Sequence, residues 1–369
     1  MNSSPSQNTA NKNRSYKIAV FGGDGIGPEV VREGLKVLSA VAPLEGFTYE
    51  TTEYPFGSER YLETGELIPE SVFDELRGFD AVYLGAIGDP RVEVGLVERA
   101  IIAGIRFKLD LYINLRPIKL YAENLCPLKD KKCSDIEMVF VRENTEGIYT
   151  AIGGIMKKDT PDEIAIAESI WTRKGCQRAI EYAFELARKR NKDKKVTLVD
   201  KANAIRAMDI WTRTFEEVGA RYPDIKREHA YIDAACMWMI KNPEWFDVAV
   251  TDNMFGDIIT DLGAMIQGGM GIAASGNIHP GRVSMFEPIH GSAPKYKDQN
   301  VASPVAAIMA VSMMLDHLGE ESAAKRIETA MGDILRSGKI PSLDARSGVK
   351  TDQAGDMIAD HVTEITAPA

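Results

Sequence analysis

"KIAVFGGDGIGPEVVREGLKVLSAV", residues 17–41, sets the architecture. Lys17–Phe21 is an apolar, β-rich run of the length of a buried strand. Glycines follow at 22, 23, 25 and 27, and Pro28 suits the first turn of a helix. A strand that turns through glycine into a helix is the opening of an α/β sheet protein. The glycines do not satisfy G-x-G-x-x-G, so a standard Rossmann dinucleotide loop is not the reading.

Outward from this unit the pattern continues. "DAVYLGAIG" (80–88), "KKVTLVD" (194–200) and "FDVAVTDN" (246–253) are further strands. "CQRAIEYAFELARKR" (176–190) puts Ile180, Ala183, Phe184 and Ala187 on one helix face. "VAAIMAVSMMLDHLG" (305–319) is a strongly apolar helix whose methionines read as core filler. One segment breaks the rhythm. "EIAIAESIWT" (163–172) alternates with period two after the turn-rich "GGIMKKDTPD", which predicts a β-hairpin, either an arm toward another subunit or a hairpin folded on its own domain.

Composition narrows the function. The 369 residues carry a formal net charge of −10, which argues against a nucleic-acid partner. Local arginines can still hold a small anion. No apolar run has the length of a membrane span, so no membrane partner is expected. The four cysteines form no CxxC pair and no zinc-like spacing, as suits free thiols in a reducing compartment. "MNSSPSQNTANKNRSY" is polar and has no apolar stretch, so residues 1–15 are expected to form a disordered extension rather than a secretory signal.

Three groups of residues suggest chemistry. In "TDNMFGDIITD" (251–261), Asp257 and Asp261 lie one helical turn apart on one face, where like charges repel. A hard divalent cation would turn that repulsion into chelation. The pair alone also admits a plainer reading, Asp257 complementing a helix N-terminus and Asp261 meeting water. Asp233, in "AYIDAACMWM", reads by itself as a cap or turn residue. Arg106 and Arg116 in "RFKLDLYINLRP" and Arg142 in "VFVRENTEGIYT" stand near the ends of apolar runs, where each needs a carboxylate or phosphate partner from a ligand or from the chain's own acids. Lys201, after the strand in "LVDKANAIR", is either a solvated lysine or, near a metal and arginines, a base.

Taken in order, "GDGIGPEV", "NLRP", "VRENTEGIY", "DKAN", "NMFGDIITD" and "FEPIHGSAP" resemble the metal-dependent decarboxylating β-hydroxyacid dehydrogenases, from about Lys17 to Ile358. That family includes 3-isopropylmalate, isocitrate, homoisocitrate and tartrate/D-malate dehydrogenases. The resemblance implies an α/β, two-domain isopropylmalate dehydrogenase-like fold, with mixed sheets flanked by helices and a β-hairpin arm. It implies a larger cofactor-binding domain from 16–111 and 268–365, and a substrate and dimerisation domain at 112–267 with an arm at about 150–172. It also implies a homodimer with shared active sites.

Site roles follow from the same resemblance. Arg106, Arg116 and Arg142 correspond to a clamp for a substrate with two carboxylates, Tyr149 to the acid and Lys201 to the base. Asp233, Asp257 and Asp261 correspond to ligands of Mg²⁺ or Mn²⁺, with Asp233 supplied by the other subunit and also near the substrate. "LGAIGDP" (84–90) and the stretch His290, Gly291, Ser292, Ala293 correspond to cofactor loops, with Lys295, Tyr296 and Ser303 beyond them. NAD is the family expectation. Lys295 and Tyr296, where NAD-using members place an acid, favour NADP, because a cation attracts the 2′-phosphate that an acid repels.

Substrate choice rests on "GLVERAIIAGI" (95–105). Ile101, Ile102 and Ala103 suit a branched alkyl group, so 3-isopropylmalate, an intermediate of cytoplasmic leucine biosynthesis, is the expected substrate. "RENTEGIY" is closer to the isocitrate, homoisocitrate and tartrate/malate pattern, and Arg99 is the extra cation that homoisocitrate would need. D-malate would need no pocket-filling contact. A non-catalytic subunit of the same fold would be expected to lose the base, the tyrosine or a metal aspartate, and this chain has them all.

Overall fold

The computed structural model describes residues 14–365. The expected N-terminal extension falls outside the described residues up to position 13, and the first strand begins at Ser15. Twelve strands are present among the described residues: β1 Ser15–Gly23, β2 Thr48–Glu53, β3 Ala81–Ala86, β4 Ile113–Lys119, β5 Glu137–Glu143, β6 Gly153–Met156, β7 Ile164–Ala167, β8 Lys195–Asp200, β9 Lys226–Tyr231, β10 Val248–Thr251, β11 Ala274–Ile278 and β12 Ser284–Pro288. Ten of them make one sheet in the order β2-β1-β3-β12-β11-β4-β5-β10-β8-β9.

The two flanks of this sheet are parallel, as strand–helix alternation requires. Its middle is antiparallel: β12 with β11, β11 with β4, and β4 with β5. Two parallel blocks are thus sewn together by antiparallel ladders between distant parts of the chain, and the result is not a doubly wound Rossmann sheet. β6 and β7 pair separately as the antiparallel hairpin, Gly153 opposite Ala167 and Met156 opposite Ile164. The hairpin reads as expected, and its Ile155, Met156, Ile164 and Ile166 are exposed.

Each block is covered on both faces. Ile18, Val20, Tyr83 and Phe286 pack beneath the helices Gly27–Glu45, Val305–His317, Glu321–Arg336 and Thr351–Glu364, while Ala19, Phe21, Val82 and Leu84 pack against residues 68–105. In the second block Val141, Val196 and Val250 meet the helix Arg173–Arg190, and Ile118, Met138 and Phe140 meet the helices Ile232–Lys241 and Asn253–Ile266. Parallel strands covered on both faces read as the continuous apolar runs found in the sequence. No helix among the described residues is long and apolar enough to cross a membrane.

The glycine turn after β1 acts as a brace. Asp24 is buried, and its carboxylate accepts from Ser58 N at 2.7 Å, Ser58 Oγ at 2.7 Å and Gly88 N at 2.8 Å. Gly25 has φ +58°, and a Cβ there would lie 2.0 Å from Ser292 O, so only glycine lets this turn touch the 290–294 loop. Ile26 N donates to that same oxygen at 2.8 Å.

Candidate active site

The helix Asn253–Ile266 starts at the carboxyl end of β10, with Asp252 as its N-cap accepting from Phe255 N at 2.9 Å. Phe255, Ile259 and Ile266 face the core, so Asp257 and Asp261 look along the other side toward β4 and β5. Strand alternation sends Asn114, Arg116 and Ile118 of β4 to the same side of the sheet as Arg142 of β5. Gly256 makes the approach possible, because a Cβ there would sit 2.5 Å from Arg142 Cγ.

The result is a dense charge cluster. Arg142 Nη1 donates to Asp257 Oδ1 at 2.6 Å, and Arg116 reaches Asp257 at 3.3 Å and Asp261 at 3.5 Å. Tyr149 donates its hydroxyl to Asp257 Oδ2 at 3.1 Å. Both guanidiniums are nearly fully buried, and burial, opposed by Asp257, lowers the pKa of each. Burial pushes the Asp257 carboxyl up, but Arg142 and Arg116 outweigh it and hold the group below its ordinary value. Asp261 is raised by burial, with Arg116 opposing and Asp257 adding repulsion. Burial and the Asp257 charge raise the Tyr149 phenol.

Arg106 comes from the opposite wall, in the short helix Gly104–Lys108. Its Nη2 donates to Glu287 Oε1 at 2.9 Å. A cavity of about 130 Å³ lies between Arg106, Arg116, Glu287, Ile102, Ala86 and His290. Residues Arg99–Ala103 form a single π-helical turn, a device common near functional sites. It shifts the phase of the wall, so Ile102 lines the cavity while Ile101, 1% exposed, is turned into the core. Of the expected apolar surface at Ile101, Ile102 and Ala103, only Ile102 lines this cavity. Arg99 is exposed and does not line the cavity.

Lys201 and Asp233 form a separate pair. Lys201 Nζ lies 2.8 Å from Asp233 Oδ1, and this contact holds the Asp233 carboxyl below its ordinary range. Among the described residues of one chain no three acidic, histidine or cysteine side chains gather as a metal-holding group, so Asp233 does not join Asp257 and Asp261 within its own chain.

In the cofactor loops, Ser292 is buried against Gly25, and Ala293 takes the left-handed conformation at φ 41°. His290 Nδ1 contacts Gly291 O, its Nε2 is buried with no partner, and burial lowers its pKa. Lys295 is exposed, its ammonium 4.6 Å from the Tyr296 ring centroid, with no acidic partner among the described residues. Ser303 has a local structural task, its hydroxyl donating to Gly271 O at 3.2 Å and accepting from Val305 N at 3.4 Å at the start of a helix.

Sequence reasoning missed several residues that shape this site. Glu287 holds Arg106. Asn253 Oδ1 accepts from Arg142 Nε at 3.0 Å and Nη2 at 2.7 Å, and Thr260 accepts from Arg116 Nη1 at 2.7 Å. Asn114 lies two residues before Arg116 on the same strand face, a period-two signal already in the sequence.

Comparison with known proteins agrees with this geometry. The sequence profile described as "Isocitrate/isopropylmalate dehydrogenase" matches residues 17–358. A 3-isopropylmalate dehydrogenase of Thermobifida fusca is 49% identical, covering 95% of this chain and 99% of that one. One of Mycobacterium avium is 52% identical, covering 93% and 99%. Among solved structures, isocitrate dehydrogenase from Methylococcus capsulatus has a TM-score of 0.85 at 36% identity, covering 94% of this chain and 99% of that one. A β-decarboxylating dehydrogenase from Thermococcus kodakarensis follows with 0.76 at 31%, covering 95% and 96%. With the mixed ten-stranded sheet and the arginine–aspartate cluster at its centre, these matches establish that the chain belongs to the isocitrate/isopropylmalate dehydrogenase family.

Proposed function

We propose that this chain catalyses the oxidative decarboxylation of 3-isopropylmalate to 2-oxoisocaproate in cytoplasmic leucine biosynthesis. The observation that carries the reading is the single cavity walled by Arg106, Arg116 and Ile102, two anion-binding guanidiniums beside a branched apolar side chain. The nearly full-length likeness to 3-isopropylmalate dehydrogenases supports it.

Asp257 and Asp261 offer hard carboxylate oxygens one turn apart, a donor set that fits Mg²⁺ or Mn²⁺. With Asp233 of the partner subunit they would hold the ion, which when bound supplies Lewis-acid polarisation of the substrate hydroxyl and carboxyl. The remaining steps belong to side chains. Arg106, Arg116 and Arg142 fix the two carboxylates. Lys201, paired with Asp233 and so supplied with it by the partner subunit, would take the hydroxyl proton, and a bound nicotinamide would supply the acceptor for the carbon-bound hydrogen and its electron pair. The 3-carboxylate then leaves as CO₂, its bonding pair remains as an enolate, and Tyr149 delivers a proton to that carbon.

The dimer reading draws on surface chemistry. Met237, Trp238 and Ile240 beside Asp233, and Ile258 and Met265 beside Asp257 and Asp261, are exposed apolar side chains. The domain division at 16–111 with 268–365 and 112–267 goes with this reading, the first carrying the nucleotide and the second the diacid and the interface. The orphaned His290 Nε2 suits a nucleotide-binding loop. NAD is what the family gives, while the ammonium of Lys295, without an acidic partner among the described residues, favours NADP. Measuring kcat/KM for isopropylmalate, D-malate, homoisocitrate and isocitrate, each with NAD and NADP, tests substrate and nucleotide together. A preference of about tenfold or more for another acid overturns the assignment.

A further inference from the structure

Beneath the cavity runs a chain of buried hydrogen bonds that joins its two guanidiniums. Arg116 Nε donates to Asn114 Oδ1 at 2.7 Å, Asn114 Nδ2 donates to Asn277 Oδ1 at 2.8 Å, and Asn277 Nδ2 donates to Glu287 Oε1 at 2.8 Å. Arg106 closes the chain from the other end at the same Glu287 oxygen. Asn144 Nδ2 adds a second donor to Asn277 Oδ1 at 3.0 Å. Asn114 and Asn277 are both 0% exposed.

The direction of every bond is forced. A guanidinium only donates and a carboxylate only accepts, so each carboxamide between them must present oxygen toward Arg116 and nitrogen toward Glu287. The central position therefore needs a side chain that is both donor and acceptor. It lies on β11, the strand that pairs with β12 of the Glu287 segment on one side and with β4 of the Arg116 segment on the other.

We propose that Asn277 is a positioning residue that sets the spacing of Arg106 and Arg116, and with it the selectivity of the clamp for a diacid. The inference rests on the clamp roles given above. Glu287 restrains Arg106, and Asn277 fixes Glu287 relative to Arg116. A substrate carboxylate then meets two guanidiniums already held in register.

The test uses Asn277→Asp, Glu287→Gln and the two combined. Asn277→Asp removes the carboxamide donor to Glu287, leaving it Arg106 and Ser275 Oγ, and puts two carboxylates together. Glu287→Gln removes the charge that faces Arg106, while its carbonyl oxygen can still accept from both Asn277 and Arg106. In the double variant the new carboxylate accepts from Asn114, from Asn144 and from the new carboxamide, whose oxygen accepts from Arg106. The chain is complete again with the same total charge.

The expected result is that Asn277→Asp weakens dicarboxylate binding, read by calorimetry with D-malate and Mg²⁺, by about tenfold and raises KM for the preferred acid alike, with Glu287→Gln weakening it less. KM for the nucleotide stays within about twofold, and the double variant recovers to within about threefold of wild type. Should Asn277→Asp not fold, recovery of folding and of diacid binding in the double variant still reads the link, and a double variant that also fails to bind overturns it. A double variant no better than Asn277→Asp, or an Asn277→Asp variant that binds the diacid as wild type does, overturns the inference. Calorimetry decides this without turnover, whereas wild-type protein that binds the diacid but oxidises none of the four acids sinks the functional reading alone.

Discussion

The chain has two acid-bearing edges, and they are built in opposite ways. On the Asn253–Ile266 helix, Asp257 is engaged by Arg142, Arg116 and Tyr149, and each guanidinium is held in turn by Asn253, Asn114 or Thr260. At the start of the Ile232–Lys241 helix, Asp233 meets one lysine, and its side chain is 67% exposed. Between the two lies β10, so Lys201 and Arg142 end strands about 10 Å apart across the sheet. The first edge is a finished binding surface held by buried polar contacts. The second presents a lysine and an aspartate beside exposed Met237 and Trp238. On the proposed reading, one chain carries both complements of a site without joining them, as a site completed by a second copy requires.

Removing the base from the exposed edge should have the largest effect. Lys201→Ala is expected to lower kcat about 10³-fold with the melting temperature unchanged, because only one surface ion pair is lost. Activity near that of wild type would remove Lys201 from the mechanism. The two aspartates should then differ in stability. In urea unfolding without metal, Asp257→Ala is expected to cost about 2 kcal/mol, since two buried guanidiniums lose a partner; the half-exposed carboxylate keeps the figure below that of a fully buried pair. Asp233→Ala should leave the urea midpoint close to that of wild type, because its one ion pair is at the surface. Equal costs would erase the contrast between the edges.

The same distinction between engaged and unengaged charge extends to Lys295. Lys295→Asp is expected to shift the ratio of kcat/KM for NADP over NAD about tenfold or more toward NAD. An unchanged ratio would show that this cation does not meet the nucleotide. The smallest effect concerns the turn that supports the finished edge. Glu143 accepts from Thr145 N, Thr145 Oγ1 and Glu146 N, and burial raises its carboxyl from 4.5 to about 7. The stability its proton contributes is therefore full below 4.5 and lost as pH rises through about 7. Glu143→Gln abolishes that slope, so its melting temperature should gain on wild type between about pH 5 and about pH 8. Parallel curves would contradict the shift.

Much of this was legible in the chain itself. Local periodicity is enough to read strand, glycine turn and helix at 17–41, the hairpin at 163–172, and Asp257 with Asp261 on one face. The antiparallel β12-β11-β4-β5 middle was not legible, because an apolar run does not say which distant strand it will pair with or in which direction. The π-helical turn at Arg99–Ala103 was equally hidden, since moving Ile102 rather than Ile101 to the cavity depends on one altered hydrogen-bond register. Asn277 gave no sign alone. A buried carboxamide becomes informative only when Arg116, Asn114 and Glu287 stand around it, and they come from two other, distant stretches of sequence.

Subunit complementation tests the shared site most directly. Lys201→Ala and Asp257→Asn proteins, each inactive alone, are unfolded together, refolded as a mixture and assayed. In hybrid dimers one site has both residues intact and the other has neither, so a random mixture should regain about a quarter of wild-type activity. A mixture that forms hybrid dimers and stays as inactive as its components would show that Lys201 and Asp257 serve the same site from the same chain, contrary to this account.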